Sequence, residues 1–312
     1  MDVAILSART GWHTDELCRA LAERRHTAHV LPYEGLHARL GNASGPGSLS
    51  SEGASILDVD AVLARIIPSG SLEQIIYRVD ALHWIEERGV PVMNSPRAIE
   101  RAVDKFYTTA LLRDAGLPVP DTVVCERMAD AMDVARTMLA DGDVILKPIF
   151  GSMGHGLVRL TDPDAAFRVL RSLEQVRAVF YLQRAIDHGG RDIRVFVVGG
   201  RIVGSIERRA PEGNWRTNVA LGGLAQPFAL PAEWAPLALR AAAAVGADYA
   251  GVDLLPSRDG TAFVLEVNAI PGWQGLQRAT GIDVAAAIVE HLERKLLAPD
   301  ARPVGLAAES PV

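Results

Sequence analysis

Apolar and polar positions follow two rhythms along this chain, and the change between them divides it. In the first ninety-odd residues, short apolar runs alternate with stretches of 3.6-residue spacing. Val3 to Leu6, Ala28 to Leu31, Ala61 to Arg65 and Val90 to Met93 read as strands. Thr14 is placed to cap a helix carrying Leu17 and Leu21, and Leu72, Ile75, Ile76, Val79 and Leu82 mark a second helix. Such alternation implies a small parallel sheet wrapped by helices. No G-x-G-x-x-G follows the first strand, so a dinucleotide fingerprint is missing. Residues 41–55, GNASGPGSLSSEGAS, read as a flexible loop or weak hairpin.

A second unit begins near Ser95, with a helix from about Lys105 to Ala115 that GLPVPDT ends before a strand. Residues 142–186 give strand, glycine-rich loop, strand, helix and strand. From Asp192 the pattern turns to hairpins, a helix over about 234–247, two strands and a final helix. The expected division is 1–94, a parallel α/β domain; 95–186, a central lobe; 187–297, a C-terminal lobe; and 298–312, a disordered tail. The class is α/β with α+β lobes.

The bulk numbers narrow the field. A hydrophobic content of 49% with 22% charged residues is that of a soluble globular protein. No apolar run approaches the roughly 18 residues of a membrane span. MDVAILSART reads as a first strand and not a secretion signal. Two cysteines, Cys18 and Cys125, suit neither a zinc site nor a disulfide framework, and point to the cytoplasm. A net charge of −6 argues against nucleic acid or an anionic membrane as partner, while leaving room for a local phosphate site.

Three stretches carry chemistry. GVDLL places Asp253 on one apolar strand, and FVLEVN places Glu266 and Asn268 on the same face of the next. Converging oxygen ligands from paired strands are what magnesium requires. The alternative is a solvated pair at a strand edge, against which the flanking Val252, Leu254, Leu265 and Val267 argue. DVILKPIFGSMGHGLVRL sets Lys147 at a strand end before the glycine-rich run 151–156, which folds over phosphates or is a plain hairpin loop. Lys105 is a second phosphate contact or an ordinary surface lysine. In VFVV-GG-RIVG, Gly199 and Gly200 make a two-residue turn. That turn pairs Val198 with Arg201 and Arg194 with Ser205. Asp192, Arg194, Glu207 and Arg209 then share a face, Arg208 points away, and Arg216 and Asn218 lie just beyond. This is a substrate-orienting cluster or a surface salt-bridge ladder. YLQRAID, residues 181–187, is an adenine-binding connector or a bland linker. No G-x-S-x-G, H-E-x-x-H or G-x-x-x-x-G-K-[ST] occurs, so serine hydrolase, zinc protease and P-loop readings lack support.

In order, these pieces resemble the ATP-grasp superfamily, and more narrowly RimK-type α-L-glutamate ligases, from Met1 to about Leu297. The most telling stretches are VMNSPRAIERAVDKF, the Lys147 strand with GSMGHG, DIRVFVVGGRIVGSIERRAPEGNWRTN, and EVNAIPGWQG. The resemblance implies an ATP-grasp fold preceded by a parallel α/β pre-ATP-grasp domain. It implies Lys105 and Lys147 on phosphates, with Gly151, Ser152 and Gly154 in the covering loop. Gln183, Arg184 and Ile186 form the adenine hinge, Asp192 meets the ribose side, and Arg216, Thr217 and Asn218 lie along the nucleotide. Asp253, Glu266 and Asn268 hold two magnesium ions, for which manganese can substitute. Arg209, with Arg216, is assigned to the transferring phosphoryl group. Met153, His155 and Arg184 depart from the family's usual residues, Arg184 replacing an acidic one.

The implied reaction joins a carboxylate to an amine through an acyl-phosphate. The expected amine is L-glutamate, and the acceptor a small molecule, such as a tetrahydromethanopterin-type cofactor, or a protein tail. Other readings are an ATP-grasp ligase for a different amino acid or peptide, and a non-catalytic ATP-binding module. The family's habit implies a homo-oligomer.

Overall fold

A computed structural model describes residues 1–41, 47–151, 156–212, 214–217 and 223–297. The chain opens with β1 (Asp2–Ser7), α1 (Trp12–Glu23) and β2 (Thr27–Pro32). Next come β3 (Leu36–Arg39), β4 (Ser48–Ser51), β5 (Ala54–Ser55), β6 (Ala61–Ala64), α2 (Leu72–Glu87) and β7 (Val92–Met93). Strands β2-β1-β6-β7 form the parallel sheet that the apolar runs predict. Within 41–55, β4 and β5 join β3 in a small antiparallel sheet, so much of that stretch is ordered structure; residues 42–46 lie outside the described residues.

Two local expectations shift. Helix α1 starts earlier than Thr14, with Gly11 as its cap. Thr14 sits at the third helical position and exchanges hydrogen bonds with Gly11 N–H and C=O. In α2 the apolar spacing marks the helix, but Leu72, Ile75 and Ile76 are exposed. Of the marked residues only Leu82 is buried, in a stripe with Arg78, Ala81 and Ile85.

Helices α3 (Pro96–Val103) and α4 (Lys105–Asp114) follow, capped by Ser95 and Asp104. The central sheet, order β10-β9-β11-β8, comprises β8 (Thr122–Cys125), β9 (Val144–Lys147), β10 (Val158–Leu160) and β11 (Phe180–Arg184). Helices α5 (Met128–Leu139) and α6 (Pro163–Gln175) cover one of its faces and close a separate core around Leu146, Leu170 and Leu182. The C-terminal sheet runs β14-β13-β12-β15-β16. Its strands are β12 (Arg191–Val198), β13 (Arg201–Arg209), β14 (Leu224–Pro227), β15 (Tyr249–Pro256) and β16 (Ala262–Asn268), with α7 (Ala235–Val245) packed on one face. The expected single final helix is two, α8 (Gln274–Thr280) and α9 (Val284–Leu297), separated at Gly281, whose φ of 73° ends the first. Residues 298–312 lie outside the described residues, and no described helix is long and apolar enough to cross a membrane.

The outer two units are welded. Val3, Ile5 and Leu63 of the first sheet share one core with Phe196 and Ile206 of the last, and with Ile288 and Leu292 of α9. Leu112 and Leu117, beyond the first domain, pack with α7 in the C-terminal core. Polar side chains pin the junction. Asn94 is fully buried and uses all its bonding capacity: its Nδ2 donates to Tyr249 O (2.7 Å) and Ala269 O (2.5 Å), and its Oδ1 accepts from Asp248 N and Tyr249 N. Arg65, also buried, donates to Pro271 O and Tyr249 OH and lies 4.7 Å over the Trp273 ring. His13 Nε2 accepts the Trp273 N–H at 3.1 Å. Burial, and then the Arg65 charge, push His13 down to about 4.

Two outcomes follow. Asn94→Ala strands two carbonyls and two amides in the junction, and urea unfolding is expected to show a loss of about 3–5 kcal/mol. His13 is held neutral in the fold but protonates near its ordinary value when unfolded, so the unfolded state binds more protons between pH 6.5 and about 4. Stability should fall as pH drops through that window. His13→Gln, which keeps an acceptor for Trp273, should flatten the slope.

Candidate active site

The central sheet and the C-terminal sheet face each other across a cleft of about 980 Å³, counting its open mouth. Into it the sequence delivers charge from both walls. Lys147 ends β9 on a buried strand and is 8% exposed; burial pushes its ammonium down to about 8, with nearby Glu266 favouring the charge and Lys105 opposing it. Lys105, at the start of α4, donates to Gly151 O at 2.7 Å, tying that helix to the near end of the glycine-rich run; burial lowers its pKa too. Arg216 donates to Leu157 O at 2.6 Å at the far end of the same run, with its guanidinium over the Trp215 ring. Ser152, Met153, Gly154, His155 and Asn218 lie outside the described residues.

The opposite wall is a buried chain of ions. Glu266 stands directly across from Asp253 on the β15–β16 ladder, and Asn268 two residues on faces Gly251. Arg194 grips Asp253 through Nε (2.6 Å) and Nη2 (2.7 Å) and comes within 3.8 Å of Glu266. Arg208, 4% exposed, bridges Asp253 (2.7 Å) and Asp192 (2.6 and 2.8 Å), and Thr217 Oγ1 closes on Asp192. Burial alone would raise the Asp253 carboxyl, but Arg194 and Arg208 overcome it and hold it well below the usual range. Burial raises Glu266, and the Asp253 charge adds to that. Its side chain is nonetheless 42% exposed, open to the cleft.

This arrangement corrects the expected hairpin. Gly199 and Gly200 do form the turn, both with positive φ (55° and 72°), and Val198 does pair with Arg201. A bulge then shifts the register between Phe196 and Val197, leaving Val203 as the extra residue. Arg194 therefore pairs with Ile206 and not Ser205, and Asp192 pairs with Arg208. A one-residue slip turns every later side chain over. Arg208 joins Asp192 and Arg194, while Glu207 and Arg209 go to the other face. There Glu207, nearly covered, is held by Arg209 (2.7 Å), Gln226 (2.5 Å) and Arg191 (3.3 Å). Arg209 thus sits away from the cleft to which it was assigned. Arg208 is the side chain that sequence reasoning turned outward.

The remaining expected residues belong to the same cleft. Gln183 and Ile186 line it. Arg184 lines it too, and its guanidinium pairs with Asp141 at 3.3 Å. No trio of His, Cys, Asp or Glu converges for a metal among the described residues. The available donors are two carboxylates and an amide. They suit a hard dication in kind, with Glu266 the open ligand, Asp253 already shared with two arginines, and Asn268 Oδ1 accepting Ile270 N at 2.8 Å.

Comparison with known proteins gives the chain's family. Residues 1–99 match the RimK PreATP-grasp domain, and residues 102–292 match the RimK-like ATP-grasp domain. A tetrahydromethanopterin:alpha-L-glutamate ligase of Methanosarcina acetivorans is 36% identical over 281 residues, covering 81% of this chain and 86% of that protein. A probable alpha-L-glutamate ligase of Trichodesmium erythraeum is 33% identical, covering 95% and 97%. Among solved structures, the ATP-grasp ligase PsnB with its minimal precursor superposes with a TM-score of 0.74 at 23% identity, covering 94% of this chain and 98% of that one. A RimK domain ATP-grasp protein from Sphaerobacter thermophilus gives 0.69 at 24% identity, covering 94% and 100%. The chain belongs to the RimK-like ATP-grasp family.

The bulged register has a thermodynamic signature. Arg208→Met leaves Asp192 and Asp253 short of their shared cation in a buried setting and should cost about 3–5 kcal/mol by denaturant titration. Arg209→Met leaves Glu207 with Arg191 and Gln226 and, from a half-exposed site, should cost less than about 1 kcal/mol. The unbulged hairpin would reverse that order.

Proposed function

We propose that this chain is an ATP-dependent carboxylate–amine ligase that adds L-glutamate to a carboxylate acceptor through an acyl-phosphate. The observation that carries the reading is the opposed Asp253–Glu266 pair facing Lys105, Lys147 and Arg216 across one cleft. Family membership and relatives named as α-L-glutamate ligases support the same chemistry. PsnB has been solved with Mg and ADP, which supports a nucleotide and magnesium here.

In this reading Lys105, Lys147 and Arg216 neutralise the phosphates, with Thr217 alongside, and Asp192 takes the ribose side; Ser152, Gly154 and Asn218, assigned by resemblance, lie outside the described residues. Gln183, Arg184 and Ile186 border the base. Asp253, Glu266 and Asn268 would hold magnesium, two ions with manganese as a substitute, which would supply positive charge to the phosphates. The acceptor carboxylate attacks the γ-phosphorus and ADP leaves. The amine of glutamate then attacks the acyl carbon and expels phosphate. Positioning and fixed charge do most of the work. Arg208 takes over the place first given to Arg209, since it reaches the cleft wall and Arg209 does not. Its buried bonds to both aspartates keep the charges fixed as the reaction proceeds. The names of the relatives favour a tetrahydromethanopterin-type cofactor or another glutamate-accepting tail as acceptor.

Purified protein with magnesium-ATP, L-glutamate and a set of acceptors should release ADP, and mass spectrometry should show acceptors gaining glutamyl residues. Glu266→Gln is expected to lower kcat by roughly 10²- to 10³-fold. ADP release only with another amino acid would replace the amine and keep the ligase. Magnesium-dependent ATP binding without turnover across a wide panel would point to a binding module.

A further inference from the structure

The open face of the central sheet carries a second concavity, separate from the cleft. Val123 and Cys125 of the edge strand β8 pack into the core under α5 and α6, so Thr122 and Val124 point to the other face. There they line a groove of about 1150 Å³, counting its open mouth. Its second wall is one stripe of α4, Phe106, Ala110 and Arg113 with Thr109 between, at helical spacing. Phe263, near the start of β16, adds a third side. The two lobes meet here. Leu112 of α4 belongs to the C-terminal core, as β16 does, whereas β8 belongs to the central one.

The groove is apolar with a positive surplus. Phe106 is 51% exposed, a large aromatic side chain left half open. Two arginines and one aspartate (Asp121) line the groove. Arg184 is drawn off to Asp141, while Arg113 meets no carboxylate among the described residues. A buried link ties the groove to the cleft. Thr109, on the groove, holds Tyr181 OH through its Oγ1 at 2.7 Å, and Lys147, on the cleft, has its Nζ 5.8 Å from the centre of the Tyr181 ring. Pro120, Arg184 and Ile186 line both.

We propose that this groove is a second ligand site, for a small organic anion, and that its occupancy alters the affinity of the nucleotide cleft. An aromatic or alkyl body lies against Phe106, Val124 and Phe263, and its charge is held by Arg113. A ligand that grips α4 and β8 together favours one angle between the lobes, and a nucleotide bound between the same lobes feels that preference. Linkage requires each ligand to change the other's affinity by the same factor. The site stands on the groove's own residues; its coupling rests on the nucleotide reading above.

The test uses the full chain and anilinonaphthalene sulfonate, an aromatic anion that fluoresces in apolar surroundings. With MgADP saturating the cleft, the unaltered protein should still bind the probe saturably. Ala110→Trp, which fills the groove, should abolish that signal. Arg113→Glu, at an exposed position where the fold is indifferent to charge, should weaken probe binding at least several-fold. MgADP affinity, measured by calorimetry with and without the probe, should differ by about fivefold or more in the unaltered protein and not at all in Ala110→Trp. Complete displacement of the probe by MgADP, or a signal that both variants keep, overturns the site. An MgADP affinity that the probe leaves unchanged, or changes equally in Ala110→Trp, overturns the coupling. Should Ala110→Trp fail to fold, Arg113→Glu decides both points. Probe binding that the variants weaken, in a protein that does not bind MgADP, overturns the nucleotide reading and the coupling and leaves the site standing.

Discussion

Asp253 and Glu266 stand face to face on neighbouring strands, and the rest of the C-terminal lobe answers to that fact. Like charges directly opposed destabilise a sheet, and burial sharpens the penalty. Arg194 on the adjoining strand takes both Asp253 oxygens, and Arg208, one strand further, ties Asp253 to Asp192. Four strands are thereby locked in register by ions. A slip of one residue anywhere would leave a buried carboxylate without its cation, at a cost of several kcal/mol. The bulge at Val203 is what makes the lock possible, because it turns Arg208 inward at the position where Asp192 waits.

That rigid wall needs a rigid base. The first sheet and the C-terminal sheet share a hydrophobic core, and Asn94 stitches the beginning of β15 to the residue after β16. These are the two strands that carry the opposed carboxylates. The central lobe, by contrast, has its own core around α5 and α6. Lys105 and Arg216 hold the two ends of the glycine-rich run from elements outside the central sheet. Two walls built on separate cores, joined by polar side chains at the cleft, suit a site that admits a ligand between them.

Much of this was legible in the sequence because it depends on local rules. Glycines 199 and 200 permit the turn, alternation places Glu266 and Asn268 on one face, and a lysine ending an apolar strand before a glycine-rich run is a visible pattern. The bulge was not legible. Val203 and Gly204 look like any strand residues, and what selects the bulged register is the long-range pairing of Arg208 with two aspartates, one of them 45 residues away. The same limit applied to α2. Its apolar spacing marked a helix, but which stripe is buried depends on what the helix packs against.

Buried ion chains are seldom the most stable solution, since apolar residues of similar volume often do as well or better. Three carboxylates here (Asp192, Asp253 and Glu266) face two arginines (Arg194 and Arg208), which leaves that wall one charge short of neutral. The excess is concentrated at Glu266, the member most open to the cleft and the one whose pKa burial raises. A wall built only for stability would have balanced its charges or replaced them. This one keeps its two aspartates strictly paired and leaves a single carboxylate under-compensated at the mouth. The imbalance is a standing electrostatic demand for a cation there, while Lys105, Lys147 and Arg216 make the complementary demand for an anion opposite. In the function proposed above, a magnesium–nucleotide complex meets both demands at once.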